Sequence, residues 1–100
     1  MMNQDTCMAI GTLRIRLVMR GAHSLKEKRS VVKSIKDRVR HKFNASIAEV
    51  GSLDLHQVAE LGVAVVANDR AYISSVLSQI ANLARGARGA EVAACDVEIF

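Results

Sequence analysis

The spacing of apolar positions changes in a regular way along the chain, and the changes mark six elements. From Cys7 to Arg20, Leu13, Ile15, Leu17 and Met19 alternate with Arg14, Arg16, Val18 and Arg20. This is the two-residue period of a half-buried strand, and Gly21 breaks it. From Ser24 to about Lys42 the apolar residues Leu25, Val31, Val32, Ile35, Val39 and Phe43 fall on one helical face. Ser24 followed by Glu27 is a capping-box pattern, which marks the helix start. Residues 44–50, with Ile47 and Val50, predict a short edge strand ending at Gly51. Residues 51–60 predict a polar connection that carries Asp54, His56 and Gln57. Leu61 to Ala67 is almost wholly apolar and β-branched, as expected of a central strand covered on both faces. Asn68 or Asp69 caps a second helix whose inward residues are Ile73, Val76, Leu77, Ile80, Leu83 and Ala84. Gly86 stops it, and residues 86–89 form a flexible basic turn. Val92 to Phe100 alternates once more, with Cys95, Val97 and Ile99 against Asp96 and Glu98.

The order strand, helix, strand, strand, helix, strand, joined by right-handed crossovers, predicts an α+β ferredoxin-like fold. Its sheet is four-stranded and antiparallel with both helices on one face, and the first strand lies between the third and the fourth. Arg14 and Arg16 then share the outer face with Asp96 and Glu98, and their charges are expected to pair across the sheet. There is no repeat, low-complexity stretch, proline or break in composition. Residues 1–100 therefore read as a single domain, long enough to bury its own core.

Half the residues are apolar, which excludes a disordered chain. No apolar run approaches the roughly 18 residues that span a bilayer. Met1 to Ile10 lacks a basic segment followed by an apolar one, so no signal peptide and no membrane association are expected, and a cytoplasmic location follows. Cys7 and Cys95 both lie in apolar stretches and are expected to be reduced, buried and structural. Neither belongs to a Cys-x-x-Cys pair. The formal net charge of +4 conceals a segregation. From Arg20 to Lys42 nine Lys or Arg stand against Glu27 and Asp37, whereas the rest of the chain carries five basic against eight acidic residues. Such concentration favours a polyanionic partner.

Within that segment Lys26, Arg29, Lys33, Lys36 and Arg40 are spaced 3, 4, 3 and 4 apart. At about 100° per residue they occupy an arc of roughly 80°, away from the apolar face and without an acidic residue in it. A stripe of this kind can follow a phosphate backbone. Lys28 and Lys42 lie nearer the core side and are expected to snorkel. Ahead of the stripe, Ser24 and Lys26 sit at a helix N-terminus, where free amides can hold one anion, although Ser24 also serves as an ordinary cap.

RNA recognition through base stacking on a sheet needs aromatic residues on the central strands. The only aromatics are Phe43, Tyr72 and Phe100, none central on the first or third strand, so that mode is not expected. The third strand must instead turn outward either Gly62, Ala64 and Val66 or Val63 and Val65. An exposed apolar strip there marks a partner face, read as a homodimer contact. Catalytic chemistry has little support. His23, His41 and His56 do not have metal-ligand spacing, and no inward-facing carboxylate pair or nucleotide-binding loop is recognisable. Asp54, His56 and Gln57 share one loop, where a proton-transfer pair is conceivable but a solvated histidine is the commoner arrangement. No catalytic residue, metal, cofactor or small-molecule substrate is expected.

Four stretches together carry a resemblance: Gly11-Thr-Leu-Arg-Ile-Arg-Leu, Gly21-Ala-His-Ser-Leu-Lys-Glu-Lys-Arg-Ser-Val-Val-Lys-Ser-Ile, Phe43-Asn-Ala-Ser-Ile-Ala-Glu-Val and Leu61-Gly-Val-Ala-Val-Val-Ala-Asn-Asp-Arg. Over nearly its whole length the chain resembles the YlxP-like family, small bacterial proteins classed as a domain of unknown function. The resemblance implies a ferredoxin-like fold. It also implies a gene neighbourhood of translation initiation and ribosome maturation, and so an RNA- or ribosome-related role. It supplies no activity and no site residues. The chain departs from the pattern in a few extra residues before Met8 and in Arg20, where a proline is common. The expected function is a non-enzymatic module whose first helix docks along the phosphates of RNA, on a ribosomal particle or its precursor, without base-specific readout. The alternative is a homodimeric protein-interaction module that acts through the sheet face.

Overall fold

The computed structural model describes residues 7–100. It has the elements β1 (Ala9–Val18), α1 (Leu25–Lys42), β2 (Ser46–Gly51), β3 (Val58–Ala67), α2 (Arg70–Arg85) and β4 (Glu91–Ile99). The strands form one antiparallel sheet in the order β2-β3-β1-β4. Both helices cover the same face, so the fold is the ferredoxin-like α+β arrangement. The core lies between sheet and helices, where Leu13, Ile15, Leu17 and Leu61 meet Val32, Ile35, Val39, Ile73, Leu77 and Ile80, all almost fully buried. Alternation in β1 decides which face looks inward, because its arginines cannot enter an apolar layer without partners.

Several boundaries differ from the sequence expectation. β3 begins at Val58, so Glu60 belongs to the strand and the β2–β3 connection shrinks to 52–57. β3 is a central strand but is covered on one face only, because both helices lie on the same side of the sheet. Cys7 is exposed and Cys95 half-buried, so neither is the fully buried residue that its apolar neighbours suggest. Arg14 stands opposite Asp96 in the register, but the ion pair of the outer face forms elsewhere, between Arg16 and Glu60 at 3.6 Å.

Asp69 caps α2 by accepting from the Ala71 amide at 2.9 Å. Gly11 is required where α2 crosses β1, since a Cβ there would collide with Ile73 and lie 2.9 Å from Leu77 Cδ1. The register shifts once in each outer pairing: Val50 is skipped between β2 and β3, and Ala93 between β1 and β4. Val50 shares the outward face of β2 with Ser46 and Ala48, and its side chain lies over Gly62, Cγ1 being 3.0 Å from where a Cβ would stand.

Candidate nucleic-acid interface

α1 is long enough to display charge over five turns, and its apolar stripe anchors it by Val32, Ile35 and Val39. Lys26, Arg29, Lys33 and Arg40 are exposed and Lys36 is half-exposed, so all five stripe cations reach solvent. They run along the flank nearest β2, as the contact of Arg40 shows: one of its guanidinium nitrogens donates to the Ile47 carbonyl of β2 at 3.0 Å. Lys33 Nζ lies 2.6 Å from Asp37 Oδ2, one turn on. That hydrogen bond, with the further positive charges of Arg40 and Lys36, holds the Asp37 carboxyl below its ordinary 3.8, against a smaller opposing effect of burial. The stripe is therefore partly neutralised, unlike the acid-free surface expected from its own five positions. Among the described residues Lys26, Arg29 and Lys36 have no ion-pair or side-chain hydrogen-bond partner.

Ser24 caps the N-terminus of α1. Ser24 Oγ accepts from the Glu27 amide at 3.1 Å, and the Glu27 carboxylate accepts from the His23 amide. Ser24 and Glu27 thus satisfy two amides at this end in the manner of a capping box, as the sequence pattern predicts. Lys26 belongs with the cationic flank.

Lys28 does not snorkel. It is completely buried, and its ammonium donates to the carbonyls of Ser52 at 2.9 Å, Leu53 at 3.3 Å and Val58 at 3.2 Å. Glu49 Oε2 lies 2.7 Å from Nζ and supplies the counter-charge. α1 is thus fastened to the β2–β3 connection, whose Ser52 has a positive φ of 58°. Gln57 fixes the same connection to the β1–α1 turn by donating to the carbonyls of Arg20 at 3.2 Å and Ala22 at 3.3 Å. Its amide is spent on backbone, and Asp54 and His56 both stand exposed beside it.

The sheet face resolves the parity of β3. Val63 pairs with the inward Leu13 and is 3% exposed; Val65 is 4% exposed. Both belong to the core, so they drop out of any partner face. The outward set is Gly62, Ala64 and Val66. Across the strands Val66 neighbours Ile10, which in turn hydrogen-bonds by its backbone to Phe100. These three side chains are 60%, 40% and 65% exposed and form an apolar row across β3, β1 and the end of β4.

Among the described residues no cluster of three or more His, Cys, Asp or Glu has the arrangement of a metal site, and no helix is long and apolar enough to cross a membrane. Residues 10–97 match the family model described as "Protein of unknown function (DUF503)". A curated relative, "Uncharacterized protein YlxP" of Bacillus subtilis (strain 168), is 39% identical over 71 residues, covering 71% of this chain and 77% of that protein. The chain belongs to the DUF503 family. The family match spans the sheet, both helices and the whole cationic flank of α1. Among solved structures, the de novo designed protein Foldit4 superposes with a TM-score of 0.55 at 18% identity, covering 93% of this chain and 96% of that one. A C-terminal segment of the alpha subunit of aIF2 from Pyrococcus abyssi gives a TM-score of 0.55 at 10% identity, covering 97% of this chain and 52% of that one. At these identities the likeness concerns the fold alone.

Proposed function

We propose that this DUF503 protein is a non-enzymatic RNA-binding module whose helix α1 lies against a phosphate backbone, with ribosomal RNA or a ribosomal particle as the target. The observation that carries this is the flank of α1. Lys26, Arg29 and Lys36 point into solvent without internal partners, backed by Lys33 and Arg40. From Lys26 to Arg40 the stripe rises about 21 Å at 1.5 Å per residue, long enough to contact several successive phosphates. The test is crosslinking and sequencing of RNA bound to the tagged protein in cells, beside Lys26→Glu/Arg29→Glu/Lys36→Glu. These positions are chosen because, unlike Lys33 and Arg40, they have no role in holding the fold. Discrete ribosomal RNA peaks that disappear in the variant support the proposal, and equal recovery from both proteins defeats it.

A second reading rests on the apolar row of Ile10, Val66 and Phe100 with the small residues Gly62 and Ala64 beside it. Here the outer sheet face is covered by a second copy of the chain, and RNA plays no part. Val66→Asp alters this face without touching the core. Under this reading sedimentation shows a dimer in the parent and a monomer in the variant; a monomeric parent rules it out.

A further inference from the structure

We infer that the groove between α1 and α2 reads the exposed bases of single-stranded RNA, a role that rests on the phosphate-binding reading of α1 and extends it to sequence. Arg38, His41 and Lys42 line one wall and Gln79 and Asn82 the other, with the half-buried Leu83 between them. At about 100° per residue Arg38 and Lys42 lie on the flank of α1 opposite the stripe. Asp37 and His41 lie in the arc between, with Asp37 paired to Lys33, so the stripe and the groove wall are two separate cationic flanks of one helix. A strand held by the stripe reaches the groove by crossing the width of α1, where Arg38 and Lys42 meet it. Asp37 also reaches the groove, but its carboxylate is engaged by Lys33 at 2.6 Å.

The two walls divide the chemistry that single-strand recognition needs. A guanidinium plane and an imidazole are surfaces on which unstacked bases can lie, and Leu83 offers an apolar contact. The opposite wall holds two carboxamides three residues apart, hence on one face of α2. Gln79 Nε2 donates to Ser75 Oγ at 3.2 Å, which orients its carbonyl oxygen as the outward acceptor. Asn82 Oδ1 accepts from Arg85 at 2.9 Å, which leaves its NH2 as the outward donor. Internal bonds thus preset one acceptor and one donor, the complement of a base edge. A duplex withholds its Watson–Crick edges in pairing and its major-groove edges in a groove too narrow for side chains, whereas a single strand offers both.

The experiment is selection from a random pool of single-stranded RNA 20-mers, with the parent protein and with Gln79→Ala/Asn82→Ala. Both residues are exposed, so the fold is retained, and an unchanged melting temperature verifies it. The parent is expected to enrich a short motif about tenfold or more over the pool, the scale of one well-made base contact. The variant is expected to lose that enrichment while binding the unselected pool within about threefold of the parent, since the phosphate contacts remain. Annealing the motif to its complement should abolish the preference. Pool binding without enrichment, a motif unchanged in the variant, or equal affinity for the duplex overturns the groove assignment and leaves the stripe standing. Absence of binding to any RNA overturns both.

Discussion

Replacing Lys28 by methionine tests how α1 is fixed to the sheet. Methionine keeps most of the buried length but removes the ammonium, so the Ser52, Leu53 and Val58 carbonyls each lose one hydrogen bond and Glu49 is left as a nearly buried charge without a counter-ion. Removing one partner of a buried ion pair costs about 3–5 kcal/mol. Against a total of about 5–15 kcal/mol for a domain of this size, that is a large share of the stability. At about 4–8 °C per kcal/mol it corresponds to a fall in Tm of roughly 12–40 °C. Lys28→Met/Glu49→Leu removes the orphaned carboxylate and should recover about half the loss. The shortfall that remains reflects the hydrogen bonds lost at the carbonyls, worth about 1–3 kcal/mol. Urea unfolding of parent, single and double variants gives the free energies. Amide exchange at Leu55, whose N–H bonds the Ser52 carbonyl at 3.1 Å, reports whether the connection loosens. A Lys28→Met loss below about 1 kcal/mol, the range of an exposed pair, would refute the clamp. A double variant less stable than the single one would refute it equally.

Asp37→Asn releases Lys33 to the phosphates. RNA affinity should rise, and the slope of log K against log salt for a single strand should steepen by about 0.7, as read by fluorescence anisotropy. The Asp37 carboxyl itself should titrate below 3.8 by NMR, and Lys33→Met should move it back up. Because the folded pKa is the depressed one, the pair's contribution is present above the ordinary carboxylate range and is lost as pH falls through the folded value. Gly11→Ala should destabilise by about 1–3 kcal/mol because its methyl meets Ile73 and Leu77. Gly21→Ala, with nothing within 4 Å, should stay within about 0.5 kcal/mol in the same urea titration. Val63→Asp should unfold the domain, whereas Ala64→Asp, one residue on and facing outward, should leave the circular dichroism spectrum and melting curve close to those of the parent.

Element order and topology are legible in the sequence because β1 and α1 carry unambiguous periods and because Ser24, Asp69 and Gly86 punctuate the helices. β3 is different. Leu61 to Ala67 is apolar at almost every position, so no alternation tells its faces apart, and only the register with Leu13 sets Val63 inward. The buried ammonium of Lys28 could not be read locally. A lysine at the edge of an apolar face usually extends to solvent. Its partners come from a connection 24 to 30 residues away, and their carbonyls have no side-chain signature. The pairing of Lys33 with Asp37 is visible as an i,i+4 spacing, whereas the tether of Arg40 to β2 requires the packed edge. The inter-helix groove lies beyond sequence periodicity altogether, since it arises from the angle between two helices.

The strand order leaves two free edges, and they are protected in different ways. β2 is six residues long and has a guanidinium on one of its carbonyls. β4 is nine residues long, its half-exposed Val97 gives it apolar character, and it carries Glu91, Asp96 and Glu98. If two copies approached along β4, these carboxylates would stand close to their counterparts, and like charges across paired strands repel. Acidity along that margin therefore acts as a colloidal guard that discourages strand-by-strand growth near neutral pH. Salt screens these charges, so high ionic strength is where this edge becomes a template for aggregation.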